Sequence, residues 1–221
     1  MENMHAIQRH ILKNLTVKGR LRYRDLKPQS VEGNQFMYHM KVLVDKSYVE
    51  KDGMLYRLTV RGKRFADKVS LESFMERVQP KIVTMIYCAN PAGEVLLYKR
   101  AREPFRGTWS LPYGKMHMGE KVADAAHREL SEKTGLTAKL TRRGDAYLAI
   151  YEKDQLITHM LTHIFEGSDI KAAEKKVSEQ YAWMNLAKVK AGELFPGFKE
   201  ILKAIEKSKN SPFFEEFIVH I

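Results

Sequence analysis

The sequence has little of what an oxidising compartment or a membrane requires. Its 221 residues include one cysteine, Cys88, which excludes an intramolecular disulfide framework and suits a reducing compartment. Long hydrophobic runs are missing. The longest apolar stretch, Ile82 to Ala89, is broken by Thr84 and falls far short of the ~20 residues a bilayer crossing needs. The first fifteen residues carry Glu2, Arg9 and Lys13 without an apolar run, so they do not read as a signal peptide. No internal repeat, low-complexity tract or Gly/Ser-rich linker occurs. The expectation is a cytoplasmic protein with no membrane partner.

At 44% hydrophobic and 29% charged residues the chain can bury a core and is neither disordered nor collagenous. Its length suits one large domain or two small ones. The net charge of +11 favours a polyanionic partner, and the charge is unevenly placed. Residues 1–79 hold sixteen Lys and Arg against nine Asp and Glu, a net of +7, leaving +4 on the longer remainder. That asymmetry points the N-terminal part toward a phosphate backbone. We place the boundaries at 1–69, a connector at 70–80 in which SLESFMERVQP forms a helix, and 81–221.

In the first segment Ile7, Ile11, Leu12 and Leu15 recur at helical spacing. A short helix is expected over Tyr23–Leu26, stopped by Pro28. Ser30 is a candidate N-cap for a third helix with Phe36, Met40 and Leu43 on one face. YVEK and MLYRLT flank Asp52-Gly53, a two-residue hairpin signal, and Thr59 is placed to cap a further helix. This succession resembles a winged helix-turn-helix domain over about a third of the chain. The resemblance implies that the third helix enters the major groove of double-stranded DNA while the wing touches phosphates. The candidate DNA-binding residues are Asn34, Gln35, Tyr38 and His39, assigned to the face opposite the apolar one, with Lys51, Arg57, Arg61, Lys63 and Arg64 as backbone contacts. The other reading is a winged domain used for protein contacts or dimerisation.

From Lys81 the pattern changes. KIVTMIYCA and VLLYKR read as strands around the turn PAGE, and then comes GKMHMGEKVADAAHRELSEKTGL, from Gly114 to Leu136. This stretch resembles the Nudix box, G-x5-E-x7-R-E-U-x-E-E-x-G-U with U aliphatic. Gly114, Glu120, Arg128, Glu129, Leu130, Glu132, Gly135 and Leu136 hold the required spacing. The resemblance extends over Lys81 to about Lys207. The fold class expected is therefore α/β: an N-terminal winged helix-turn-helix domain plus a C-terminal Nudix α/β/α sandwich with a mixed sheet.

A glycine-containing loop lets the backbone approach a diphosphate, and Glu129, Glu132 and position 133 share one helical face. Hard oxygen ligands on one face suit Mg²⁺ or Mn²⁺. The resemblance implies that Glu129 and Glu132 are metal ligands, Arg128 orients them, and Glu120 pins the loop or sits near a metal. Gly114 and Lys133 are the candidate substrate-binding positions. Lys133 departs from the family pattern, which has glutamate there. An ammonium about 5 Å from a divalent ion costs roughly 6 kcal/mol at an effective dielectric near 20, less if the flexible stem swings away. Two readings follow. One is slow single-metal hydrolysis, with Glu152, Asp154 or Glu179 completing the shell. The other is a pocket that has lost catalysis and senses a phosphate ligand, with Lys133 pairing with that ligand or with Glu129. A box kept only because it folds the loop and helix is the plain alternative.

Beyond the box, AYLAIYE and QLITHMLTHIFEG read as a hairpin around Lys153-Asp154, with His159 and His163 on one face of the second strand. Tyr181 and Trp183 suit a short closing strand, and Phe198–Lys207 a last helix. The apolar tail SPFFEEFIVHI is expected to dock on the body or on a second copy. The functional expectation is a homodimeric DNA-binding regulator. Its Nudix-like domain binds a nucleoside-diphosphate-linked ligand such as ADP-ribose, a dinucleotide or a nucleotide sugar, with slow hydrolysis left open. The alternative is an active Mg²⁺-dependent pyrophosphohydrolase with the winged domain as an accessory.

Overall fold

The computed structural model describes residues 4–70, 72–172, 180–208 and 211–221. The chain divides into two units, Met1–Gln79 and Pro80–Ile221. Among the described residues no helix is long and apolar enough to cross a membrane.

In the first unit the elements run α1 (Ala6–Lys18), β1 (Arg20–Arg22), α2 (Tyr23–Leu26), α3 (Gly33–Asp45), β2 (Val49–Asp52), β3 (Leu55–Leu58) and α4 (Val60–Lys68). His5 starts α1 with a reciprocal cap: its Nδ1 accepts from the Ile7 amide and its own amide donates to Gln8 Oε1. Gly19, at φ +78°, ends it. The apolar face of α1 packs on Phe36, Met40 and Leu43 of α3, all of them buried. Each such side chain contributes about 1.5–3 kcal/mol when removed from water.

Four sequence expectations change here. Ser30 is not the cap of α3, which begins after Glu32 without a side-chain cap bond. His39 is not on the exposed face of α3. It is only 8% exposed and stacks on His5 at 4.0 Å, because position 39 lies three residues from Phe36 and so on the same side. The hairpin loop is Gly53-Met54, one residue later than the dipeptide signal, since Asp52 pairs with Leu55; Gly53 takes the positive φ that the first loop position requires. Among the described residues of 70–80 there is no helix. Ser70 and Met75 close a turn, Val69 bridges to Glu76, and Phe74 packs on the core of the first unit.

Thr59 caps α4 as expected, accepting from the Gly62 amide at 3.1 Å and donating to the Ser47 carbonyl at 2.5 Å. Gly62 faces the Tyr48 carbonyl so closely that a Cβ would lie 2.1 Å from its oxygen.

The second unit runs β4 (Lys81–Cys88), β5 (Val95–Lys99), β6 (Trp109–Ser110), β7 (Tyr113–Lys115), α5 (Val122–Thr134), β8 (Leu136–Glu152), β9 (Gln155–Ala172), β10 (Tyr181–Met184), α6 (Phe198–Lys207) and β11 (Phe213–His220). Among the described residues it forms a five-stranded sheet, β11-β8-β9-β4-β7, and a three-stranded sheet, β10-β5-β6. The larger sheet is mixed, with β4–β9 and β11–β8 parallel and the other pairs antiparallel. Val83 and Met85 of β4 belong to the core that α6 covers, while Ile86 and Cys88 join Ala126 and Leu130 of α5. The two helices therefore sit on opposite faces of β4, as alternation along a strand dictates.

One bulge reverses this alternation along β8. Leu136, Ala138 and Leu140 face α5, whereas Ala146, Leu148 and Ile150, of the same parity, enter the α6 core. The extra residue is Arg143, between the Arg142–Phe165 and Gly144–Ile164 pairs. The turn at Lys153-Asp154 lies where the sequence signals it, with both residues at positive φ. The apolar tail docks on the body as β11, in parallel register with β8 from Gly144 to Tyr151.

Gly62→Ala is expected to destabilise the first unit by about 1–3 kcal/mol through overpacking. Gly192→Ala, where an added methyl meets nothing within 4 Å, should stay within roughly 0.5 kcal/mol. Urea unfolding of both variants checks the contrast, and equal losses would contradict it.

Candidate functional site

The loop after β7 and the helix α5 are joined through one side chain. Arg128 lies at the middle of α5, and its guanidinium reaches back to the loop. Nε donates to Glu120 Oε1 at 2.7 Å and Nη2 to Glu120 Oε2 at 2.9 Å, a bidentate fork. Nη2 also donates to the Lys115 carbonyl at 3.0 Å, and Nη1 to Glu129 Oε1 at 2.7 Å and Glu132 Oε2 at 3.2 Å. The His117 amide adds a donor to Glu120 Oε2 at 2.9 Å. Hydrogen bonds from Arg128 and from the His117 amide hold the Glu120 carboxyl at about 2, far below its ordinary value, and the Glu120 contact pushes Arg128 upward.

Gly114 is required by contact rather than by backbone angle. A Cβ there would fall 1.8 Å from Glu129 Cδ and 1.9 and 2.1 Å from its two oxygens. The Glu129 carboxylate is thus pressed against the backbone of β7. Its side chain is 7% exposed, against 57% for Glu132. Glu129 Oε2 is buried without a hydrogen-bond partner and has Lys133 Nζ at 3.8 Å. The same ammonium lies 5.3 Å from the ring centre of Tyr98 on β5.

The sequence candidates Gly114, Glu120, Arg128, Glu129, Glu132 and Lys133 are therefore brought together. Glu152 and Asp154 are not part of the cavity lining, which leaves the shell they were expected to complete without them; Glu179 lies outside the described residues. His163 Nδ1 is engaged by Asp145 Oδ1 at 2.7 Å, and His159 packs edge-on against Tyr147.

A cavity of about 710 Å³ opens beside Gly114, Glu129 and Lys133. Lys81, Arg100, Arg102 and Lys115 line it, as do the rings of Tyr98, Phe105, Tyr113 and Phe195. Local spacing gave no sign of these residues, since they come from β4, β5, the loop after β5, β7 and the chain before α6. Arg100 is engaged by its own loop, donating to the Pro104 and Glu103 carbonyls and to the Tyr113 hydroxyl. Lys81 Nζ donates to Thr158 Oγ1 at 2.8 Å. Burial first, then the charges of Lys115, Arg100 and Arg102, push the Lys81 ammonium below its ordinary value.

The Mg²⁺ or Mn²⁺ implied by the box meets a donor set that does not fit it. Glu129 Oε1 and Glu132 Oε2 accept from Arg128, and Lys133 occupies the approach to Glu129 Oε2. A divalent ion at the usual ~2.1 Å from that oxygen would stand within about 6 Å of the ammonium, at a cost of roughly 6 kcal/mol at an effective dielectric near 20. Among the described residues no group of three or more His, Cys, Asp or Glu is placed to hold a metal.

The other candidate surface lies on α3. Asn34, Gln35 and Tyr38 are exposed there and His39 is not; burial, and then the neighbouring His5, hold its imidazole below the usual range. Lys51 is exposed on β2. Arg57 on β3 lies 2.7 Å from Glu50 and 3.7 Å from Asp52, an ion pair without hydrogen-bond alignment. Lys63 is exposed on α4.

Residues 79–205 match the family described as NUDIX domain. The chain is 28% identical over 148 residues to an ADP-ribose pyrophosphatase of Methanocaldococcus jannaschii, covering 62% of this chain and 85% of that protein. It is 41% identical over 54 residues to an 8-oxo-dGDP phosphatase of Mus musculus, covering 24% of this chain but 17% of the relative. Among solved structures, the mutator MutT protein from Bacillus halodurans aligns with a TM-score of 0.50 at 24% identity, over 62% of this chain and 89% of that one. That likeness is one of fold.

The fork sets an acid dependence. Glu120 titrates near 4.5 in the unfolded chain and at about 2 in the folded one, so its contribution is complete above about 4.5 and is lost as the pH falls toward 2. A side-chain carboxyl NMR titration should place its midpoint near 2, and Arg128→Gln should return it toward 4.5. A midpoint already near 4.5 in the parent protein would rule out the fork.

Proposed function

This chain belongs to the NUDIX domain family, and from that premise we propose that its second unit holds a nucleoside-diphosphate-linked ligand in a cationic pocket, while its first unit is a winged helix-turn-helix reader of double-stranded DNA. The observation that carries the reading is the ammonium of Lys133, 3.8 Å from Glu129 Oε2, where the box otherwise supplies a third carboxylate.

Phosphate oxygens entering beside Gly114 meet Lys81, Arg102, Lys115 and Lys133. An anion there offsets the burial and the cationic neighbours that lower the Lys81 ammonium, so binding and the charge state of Lys81 reinforce each other. The rings of Tyr98, Phe105 and Tyr113 offer apolar walls to a sugar or base. Hydrolysis needs water activated and developing charge neutralised. The fork of Arg128 occupies the carboxylates that would serve those roles, so turnover is slow or absent. ADP-ribose is the first ligand to try, since it joins two phosphates to a sugar at each end.

For the first unit, Asn34, Gln35 and Tyr38 form the reading surface of α3, with Lys51 and Lys63 as phosphate contacts. His39 leaves the set because it is buried. Ligand binding in one unit changes DNA affinity in the other through reciprocal linkage, and a homodimer doubles the reading surfaces.

Calorimetry with ADP-ribose should give binding in EDTA within about threefold of that in Mg²⁺, and Lys133→Ala should weaken it about tenfold, or roughly 1.4 kcal/mol. Lys133→Glu should make binding depend on Mg²⁺. Turnover by the parent protein that requires Mg²⁺ and disappears in Glu129→Gln would instead make this a working hydrolase.

Selection from random duplex DNA should enrich one sequence class. The triple variant Asn34→Ala, Gln35→Ala, Tyr38→Ala should lose that preference, while Lys51→Ala weakens all sequences alike. Enrichment of the same class by the triple variant would mean that α3 is not the reader.

A further inference from the structure

The first unit contains a second cavity, of about 770 Å³, which shares only Arg61 and Arg64 with the candidate DNA contacts. Its floor is aromatic: Phe65 of α4 stands edge-on to Tyr48 at 5.4 Å and 5.7 Å from Phe74, between ring centres. Phe74 reaches it from a backbone φ of +54°, a conformation bulky residues rarely adopt. The turn closed by Ser70 and Met75 holds it there.

The rim is cationic. Arg9 comes from α1, and Arg61, Arg64 and Lys68 come from one side of α4. Arg61 lies over the Tyr48 ring at 4.6 Å. Glu76 is the one acid in the lining. Among the described residues none of the four cations forms an ion pair with a carboxylate. Four positive side chains around three edge-on and tilted rings complement an anion with a flat apolar body.

We propose that this cavity binds a small aromatic carboxylate or phosphate, its ring on Phe65 and Phe74 and its anionic group between Arg64 and Lys68. A phosphodiester backbone has no apolar part to place on this floor, and the lining contains none of Asn34, Gln35 or Tyr38. Arg64 is thus assigned to a ligand site, where the sequence pattern offered it as a DNA-backbone contact. Its occupant would be felt by the reading helix, because Tyr48 of the cavity wall donates its amide to the Leu43 carbonyl in α3 at 2.8 Å.

The probe is 1-naphthoate, titrated into the full-length ¹⁵N-labelled protein, with neutral 1-naphthylmethanol as the control. The expected result is saturable movement of the Phe65, Lys68, Phe74 and Met75 amides by naphthoate. Binding should weaken about tenfold in the exposed double variant Arg64→Gln, Lys68→Gln, and the alcohol should bind about tenfold more weakly than naphthoate. Movement confined to residues after Pro80, no saturation at the solubility limit, or equal binding of the alcohol would overturn the proposal. So would a double variant that binds naphthoate normally but loses DNA affinity for every sequence, since the rim would then be a phosphate-backbone surface. If the double variant does not fold, the amide map of the parent protein and the alcohol control decide the matter.

Discussion

The guanidinium of Arg128 is the constraint on which the rest of the site depends. A guanidinium has five N–H donors in a fixed plane, and here they make five contacts: two to Glu120, one each to Glu129 and Glu132, and one to the Lys115 carbonyl. Those acceptors belong to a loop, a helix and a strand that sequence distance alone would let move apart. A lysine could satisfy one of them as a point charge but could not bridge all three elements. The tight seat of Glu129 against Gly114 follows from the same geometry, because the carboxylate is held from one side by Arg128 and from the other by the glycine backbone.

With the carboxylates held in that way, the character of the cavity is decided by which charges remain facing it. Lys81, Arg102, Lys115 and Lys133 do, and Arg100 adds to the field while tied to its loop. The effect is visible in Lys81, whose ammonium is disfavoured by burial and by its cationic neighbours. Concentrated around a cavity with apolar walls, like charges are a standing cost that an anionic ligand offsets.

Much of this was legible in the chain, and the exceptions have physical causes. The box spacing located the six residues at the heart of the site because they lie within one loop and one helix, where sequence distance is spatial distance. The Lys153-Asp154 turn and the Phe198–Lys207 helix were legible for the same reason. Lys81, Thr158 and Phe195 were not, since parallel pairing of β4 with β9 and the return of the chain before α6 bring them together from far apart. His39 was misplaced because position 39 was read as the far side of a helix when a step of three keeps it beside Phe36. Alternation failed along β8, where Arg143 shifts the parity and sends even-numbered residues to both faces. The turn at 70–76 carried helix-compatible residues, and tertiary packing of Phe74 on the first core decided otherwise.

The exchange of a carboxylate for Lys133 bears on chemistry more than on affinity. A metal ion in a hydrolytic site binds phosphate oxygens, lowers the pKa of water and follows charge as it develops. A lysine ammonium binds phosphate oxygens and meets developing charge, but it does not lower the pKa of a bound water. To the extent that its binding is uniform between ground state and transition state, it lowers the dissociation constant without raising the rate. On the reading proposed above, the pocket retains its ligand rather than consuming it. Retention is what a sensor requires, because a ligand destroyed on binding cannot report its own concentration at equilibrium, and linkage to a second site operates only through states that persist long enough to be populated.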